Sequence, residues 1–176
     1  MPEAAAILAA DAPASGGEDT AAALDRALAG DGDPARRWRV ACAWLRLESA
    51  LDGVAPDAVP DFGTPAAERL AAKYRVQAHY LARECFLGEP ALLAAAAALS
   101  GVPTAIVHGT GDLICPAANA GRVHAALAGS RLALVPGAGH GPNHPGMVRM
   151  AHRALAAFAA DGNFGGWTGA GGVTVA

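Results

Sequence analysis

Asp112 and His140, in the C-terminal half of the chain, have the residue types and the spacing of a catalytic acid–base pair. Asp112 closes the stretch HGTGD at the end of the apolar run 104–108, and His140 closes PGAGH after the run 131–135. Reactive side chains in open α/β sheets gather on the loops that leave the carboxyl ends of the strands. A carboxylate that reaches a neighbouring imidazole fixes its tautomer and stabilises its protonated form, as Ser-His-Asp hydrolysis requires. We therefore expect these two residues to act together in a hydrolytic reaction.

Each of the two residues also has a simpler interpretation. Asp112 could cap the helix that is predicted to begin near Pro116, and His140 could be a loop histidine without a chemical role. The succession of HGTGD, one helix, a second strand and GAGH is more specific than either residue alone. This succession favours the paired interpretation.

The sequence offers no recognisable nucleophile for the pair. Serine hydrolases of the α/β class carry their serine upstream of the aspartate and the histidine, in a GxSxG turn. The serines of this chain all lie outside such a motif: they are Ser15, Ser49, Ser100 and Ser130. Cys115 stands three residues after Asp112 and beside a proline, which does not resemble a nucleophile turn. We therefore expect the chain to lack hydrolase activity by itself.

Neither a metal nor an organic cofactor is expected. His140 and His144 are four residues apart, but the glycine and the proline between them prevent a helical metal-binding pair. The three cysteines have no CxxC spacing and are odd in number, which is typical of reduced thiols in the cytoplasm.

Composition argues against two further classes of partner. The net charge is −3 and basic clusters are absent, which disfavours binding to nucleic acid. The longest alanine-rich run, Ala91–Leu99, is too short to cross a bilayer, and the N-terminal residues lack the basic region of a signal peptide. We expect a cytoplasmic protein that binds neither nucleic acid nor membranes.

The elements that must position these residues change in character near residue 100. Residues 1–100 are predicted to be helical, with helices at 20–28, 34–51, 66–83 and 90–99. Residues 101–160 read as strand, helix, strand, helix, with strands at 104–108 and 131–135, and residues 161–176 form a glycine-rich tail that we expect to be loose. Two parallel strands seldom form a stable sheet alone, so an α/β fold of which this chain is only a part is predicted.

Three stretches resemble one protein family. The segment from IVHGTGDLICP to GAGHGPNHPG is similar to the C-terminal end of proline iminopeptidases (prolyl aminopeptidases) of the α/β-hydrolase superfamily, and it keeps Asp112, Cys115 and His140. The stretch ACAWLRLESAL resembles the WxxWE segment of the family's helical cap and keeps Trp44 and Glu48. The stretch RVQAHYLARECFL resembles a second cap segment.

The resemblance implies the C-terminal part of an α/β-hydrolase fold, preceded by a helical cap. It implies that Asp112 and His140 are the acid and the base of the triad. Glu48 would bind the substrate's N-terminal ammonium, and Cys115 would line the pocket for the proline ring.

Two cap positions depart from the family pattern. Gln77 stands where the family has a second glutamate, and Leu81 stands where it has an aromatic residue. Both are candidate substrate-binding positions, and both differences weaken the expectation of strict proline specificity.

The resulting hypothesis is a truncated, proline iminopeptidase-like serine hydrolase that releases N-terminal proline from small peptides and is inactive alone. Its partner would be a missing N-terminal half, or a second copy that pairs through an exposed sheet edge. One alternative is another α/β-hydrolase, such as an esterase. Another is a non-catalytic remnant that offers its sheet edge to a partner protein.

Overall fold

The described part of the first half is helical, and the second half adds two parallel strands. The computed structural model describes residues 2–29, 32–53 and 59–167. In chain order the elements are α1 (Pro2–Asp11), α2 (Thr20–Ala29), α3 (Pro34–Leu51), α4 (Pro65–Leu81), a short 3₁₀ turn (Glu84–Phe86), α5 (Gly88–Ala98), β1 (Ala105–Gly109), α6 (Ala117–Ala126), β2 (Arg131–Val135) and α7 (Pro145–Asp161). They form two compact units, Met1–Gly88 and Glu89–Ala176.

Caps and prolines set the starts of the two long helices of the first unit. The side chain of Asp33 accepts a hydrogen bond from the amide two residues on at 2.9 Å, and Pro34 follows it. Thr64 Oγ1 accepts from the amide three residues on at 3.2 Å, and Pro65 follows it. Each cap satisfies an amide that the first helical turn leaves unpaired, and proline has no amide hydrogen to satisfy there. The sequence predicted both starts to within one residue.

The core of the first unit lies between α2, α3 and α4. Val40, Trp44, Tyr74 and Ala78 are buried there. The rings of Trp44 and Tyr74 stack with their centroids 4.9 Å apart. This contact joins the middle of α3 to the middle of α4, the two helices that carry Glu48 and Gln77.

The two strands of the second unit pair in parallel, from Ala105 opposite Arg131 to Gly109 opposite Val135. The sequence predicted both strands and their direction. Because the carboxyl ends of the two strands lie opposite one another, the loops that carry Asp112 and His140 leave from the same end of the sheet. The core of this unit contains Ala133, Val135, Ala138, Met150, Ala154 and Trp167.

Three features differ from the sequence-based expectations or fall outside the described residues. The helix α1 was not predicted. The tail was expected to be loose from residue 161, yet Phe164 and Trp167 pack against the core of the second unit, and Trp167 is only 6% exposed; residues 168–176 lie outside the described part. The units divide between Gly88 and Glu89, whereas the regions 1–100, 101–160 and 161–176 divide the chain by role and stay predictions.

None of the described helices combines the length and the apolar character that crossing a bilayer requires.

Candidate functional site

The carboxylate of Asp112 is held by the backbone of its own loop. Its Oδ1 accepts hydrogen bonds from the amides of Ile114 at 2.9 Å and Cys115 at 2.7 Å. The side chain is only 4% exposed. Asp112 does not cap α6, because that helix begins after Pro116 without a side-chain cap. Its second oxygen, Oδ2, therefore remains for contacts outside the loop.

His140 lies against that second oxygen. Its Nδ1 is 3.0 Å from Asp112 Oδ2, and its side chain is 47% exposed. An ionised carboxylate only accepts hydrogen bonds, so Nδ1 carries the hydrogen. This is the arrangement in which an aspartate fixes the tautomer of a general-base histidine.

Backbone contacts hold the two loops together. The amide of Thr110 donates to the carbonyl of Val135 at 3.0 Å, and that of Gly111 donates to the carbonyl of Ala138 at 2.9 Å. A Cβ at Gly109 would overlap the carbonyl oxygen of Ala138. Glycine at position 109 therefore permits the close approach on which the Asp112–His140 distance depends.

The surroundings of Asp112 favour its charged form. Burial opposes ionisation of the carboxyl, but hydrogen bonds from the Cys115 amide, the His140 imidazole and the Ile114 amide outweigh it. The pKa of Asp112 is consequently held below its ordinary value. At neutral pH the pair contains a carboxylate that can stabilise a protonated His140.

Sequence reasoning missed a second imidazole beside Asp112. His108 Nε2 is 2.8 Å from the carbonyl oxygen of Cys115 and 3.5 Å from Asp112 Oδ2. The sequence signal was available, because His108 ends the apolar run and stands four residues before the aspartate.

Cys115 contributes its backbone to this loop. Its amide and its carbonyl bond to Asp112 and His108, and its side chain is exposed. A serine and a histidine also meet elsewhere in this unit, where Ser130 Oγ is 2.7 Å from His124 Nδ1. Ser130 is buried, at 4% exposure, so its hydroxyl is not presented to a substrate.

In the first unit, Glu48 lies in a separate hydrogen-bond network. Glu48 Oε2 accepts from Tyr74 Oη at 2.9 Å, and Glu48 Oε1 accepts from Gln77 Nε2 at 2.7 Å. Burial, reinforced by the hydrogen bond to Glu48, raises the pKa of Tyr74 well above its ordinary value. The hydroxyl of Tyr74 therefore stays a donor to Glu48 at every physiological pH.

The structure thus brings Glu48 and Gln77 together and adds Tyr74, which sequence reasoning missed. Tyr74 precedes Gln77 by three residues on α4, so their common helix face was the available signal. Leu81 follows Gln77 by four residues at the end of α4, and its side chain is exposed. Among the described residues, no cluster of three or more His, Cys, Asp or Glu side chains could hold a metal ion.

Sequence comparison relates the chain to proline iminopeptidases. It is 33% identical over 135 residues to a proline iminopeptidase of Xylella fastidiosa strain Temecula1, which covers 72% of this chain and 41% of that protein. It is 32% identical over 142 residues to a proline iminopeptidase of Xanthomonas citri, with 80% of this chain and 45% of that protein covered. A probable proline iminopeptidase of Leptolyngbya boryana is 36% identical over 75 residues. No family model matches the chain.

The chain spans less than half the length of the first two relatives, 41% and 45%. Its helices and two parallel strands are consistent with a partial α/β-hydrolase fold.

Proposed function

We propose that this proline iminopeptidase-like chain contributes the acid, the base and the amine-recognising carboxylate of a prolyl aminopeptidase, and that the serine nucleophile comes from another polypeptide segment. The 3.0 Å contact between His140 Nδ1 and Asp112 Oδ2 carries this proposal. The similarity to proline iminopeptidases supports it.

In the proposed reaction His140 is the general base and then the general acid. It takes the proton of the serine hydroxyl as the serine attacks the peptide carbonyl, and it returns that proton to the leaving amine. Asp112 stays ionised throughout and stabilises the imidazolium. The lowered pKa of Asp112 supports that role. In a Ser-His-Asp site, loss of this carboxylate lowers the rate by about 10⁴-fold.

This chain is proposed to be inactive without that segment. Its sequence has no GxSxG turn and no HGG-type oxyanion segment, and Ser130 is buried against His124. Attack on a carbonyl needs both an exposed nucleophile and donors for the oxyanion, and these supply most of the rate.

Glu48 is the proposed site for the substrate's N-terminal amine. Both of its oxygens accept from neutral donors, Tyr74 and Gln77, and each carboxylate oxygen has lone pairs left for an ammonium. The Gln77 amide nitrogen is used on Glu48, which leaves its amide oxygen as a second acceptor. A neutral glutamine in place of a second carboxylate weakens the attraction for an ammonium by about 1–3 kcal/mol.

Leu81 and Cys115 are the proposed apolar contacts of the substrate side chain. Both side chains are exposed, as contacts of an incoming substrate need to be. The substrate class is a small peptide with a free N-terminus, and no cofactor is required by this chemistry. The three cysteines are not joined in disulfides, which supports a cytoplasmic location.

The two-stranded sheet is the proposed docking point for the nucleophile-bearing segment. Parallel sheets are normally larger than two strands and covered on both faces. Pairing of that segment with the open edge of the sheet would extend it and bring the serine to the strand ends where Asp112 and His140 lie.

The test is hydrolysis of proline-β-naphthylamide and of a short acyl ester by the purified full chain, beside its His140→Ala variant. We expect no turnover above buffer from either protein. Turnover of the amide that His140→Ala abolishes would show that the chain carries its own nucleophile. Turnover of the ester alone, with the same dependence on His140, would replace the aminopeptidase proposal with the esterase alternative.

A further inference from the structure

We propose that His108 is a positioning residue of the Asp112–His140 pair, which holds the aspartate loop closed and fixes the carboxylate oxygen that faces His140. The inference rests on the proposed function for its catalytic meaning. Its geometry and its test do not depend on turnover.

His108 joins the two ends of the loop that carries Asp112. It lies on β1, and its Nε2 is 2.8 Å from the carbonyl oxygen of Cys115, two residues before α6 begins. A carbonyl oxygen only accepts hydrogen bonds, so Nε2 carries a hydrogen. One hydrogen bond thus closes the segment between residues 108 and 115 from a residue that is itself anchored in the sheet opposite Leu134.

The same nitrogen also faces the carboxylate. Asp112 Oδ1 is occupied by two backbone amides, whereas Oδ2 faces His140 Nδ1 at 3.0 Å and His108 Nε2 at 3.5 Å. The two amides alone would let Oδ2 swing about Oδ1. The His108 N–H donates to the Cys115 carbonyl oxygen, and its partial positive charge, 3.5 Å from Oδ2, favours the position of this oxygen beside His140.

Burial strengthens the contacts of His108 with the Cys115 carbonyl and with the Asp112 carboxylate. The side chain of His108 is 19% exposed and that of Asp112 is 4% exposed, so water competes little for either group. A strand is also a more rigid support than a loop, and a reactive pair needs its supporting residues on rigid elements. His108 meets both conditions, whereas the other contacts to the carboxylate come from loop residues.

The experiment compares nuclear magnetic resonance spectra of the full chain, with ¹⁵N-labelled histidine, in wild-type protein and in two variants. His108→Leu removes the donor, and His108→Gln keeps an N–H near the position of Nε2 without an imidazole. His124→Leu is the matched control, because His124 bonds to Ser130 rather than to Asp112. The measured quantities are the Nδ1 proton resonance of His140 and the hydrogen-exchange rates of the Ile114 and Cys115 amides, at about pH 8, well above the ordinary pKa of an imidazole.

We expect His108→Leu to shift the His140 Nδ1 proton upfield and to speed its exchange with water about tenfold, the effect of losing one hydrogen bond. We expect His108→Gln to restore both values towards wild type, and His124→Leu to leave them unchanged. A wild-type His140 signal in His108→Leu, with faster exchange only at Ile114 and Cys115, would reduce His108 to a loop anchor and overturn the proposal. So would a His108→Gln spectrum that matches His108→Leu. Because neither readout needs a nucleophile, these results stand apart from the outcome of the hydrolysis assay.

Discussion

At the scale of single residues, four of the side chains that sequence reasoning identified form two groups, Asp112 with His140 and Glu48 with Gln77, and each group contains a member that it missed. Asp112 and His140 were predictable because strand ends and glycine turns set their places. His108 and Tyr74 were missed because their importance depends on the direction of a side chain from a strand or helix, which the order of residues does not state. The roles assigned to Glu48 and Gln77 stay proposals, although the structure shows a hydrogen bond between their side chains.

The charge of Asp112 should stabilise the fold at neutral pH. Its pKa is below the ordinary value in the folded state, so its contribution is present above about pH 4 and is lost as the pH falls through the folded-state pKa. We expect Asp112→Asn to lower the free energy of unfolding by about 1–3 kcal/mol at neutral pH. Urea unfolding at several pH values measures this difference, which should vanish in acid.

The exposed Asp61 provides the matched control for this substitution. Asp61→Asn should leave the free energy of unfolding within about 0.5 kcal/mol of wild type. A difference between wild type and Asp112→Asn that stays constant from neutral to acidic pH would show that the carboxylate charge is not its cause.

The hydroxyl of Tyr74 should be worth a full hydrogen bond to Glu48. Tyr74 is buried and its Oη donates to the carboxylate at 2.9 Å. Tyr74→Phe keeps the ring stack on Trp44 but removes the donor, and we expect it to lower the free energy of unfolding by about 1–2 kcal/mol. Urea unfolding measures the loss. Tyr80→Phe, at an exposed tyrosine, is the control, and equal effects of the two substitutions would contradict the network.

At the scale of elements, local signals were sufficient where caps, prolines and apolar runs mark the boundaries. The helix α1 was not predicted because its alanine-rich sequence shows no apolar stripe. A contact with a residue far away in the sequence stabilises it. Arg39 of α3 donates two hydrogen bonds of 2.8 Å to Asp11 at the end of α1. The turn Glu84–Phe86 was equally invisible, since it places three non-glycine residues at φ of 47°, 54° and 63°. Conformations of that kind are imposed by the surrounding structure.

The approach of the Asp112 and His140 loops should tolerate no side chain at position 109. Gly109→Ala places a Cβ into the carbonyl oxygen of Ala138, and forced overlap in a packed site costs about 1–3 kcal/mol. We expect that loss in the free energy of unfolding by urea. Gly121→Ala on α6 is the control, because its Cβ would enter open space and alanine favours a helix by about 1 kcal/mol. Equal stability of the two variants would refute the close approach.

At the scale of the whole molecule, the sequence predicted an α/β fold with a helical first half and a parallel second half, and the structure confirms that pattern within a partial α/β-hydrolase fold. It could not predict where the two units divide, because the division depends on contacts between residues far apart in the sequence. The sequence also does not show which segment supplies the further strands that a two-stranded parallel sheet lacks. The chain covers 41% and 45% of two proline iminopeptidases, and the proposed activity belongs to an assembly that includes more than these residues.

The most direct measurement mixes the full chain with the part of the Xanthomonas citri proline iminopeptidase that lies outside the matched region, and follows proline-β-naphthylamide hydrolysis. We predict activity in the mixture that neither component shows alone, with a loss of about 10⁴-fold when the chain carries Asp112→Asn and of about 10⁶-fold when it carries His140→Ala. Activity of the His140→Ala mixture equal to that of the wild-type mixture would contradict this prediction. So would a stable complex, in which both components are folded, that releases no naphthylamine.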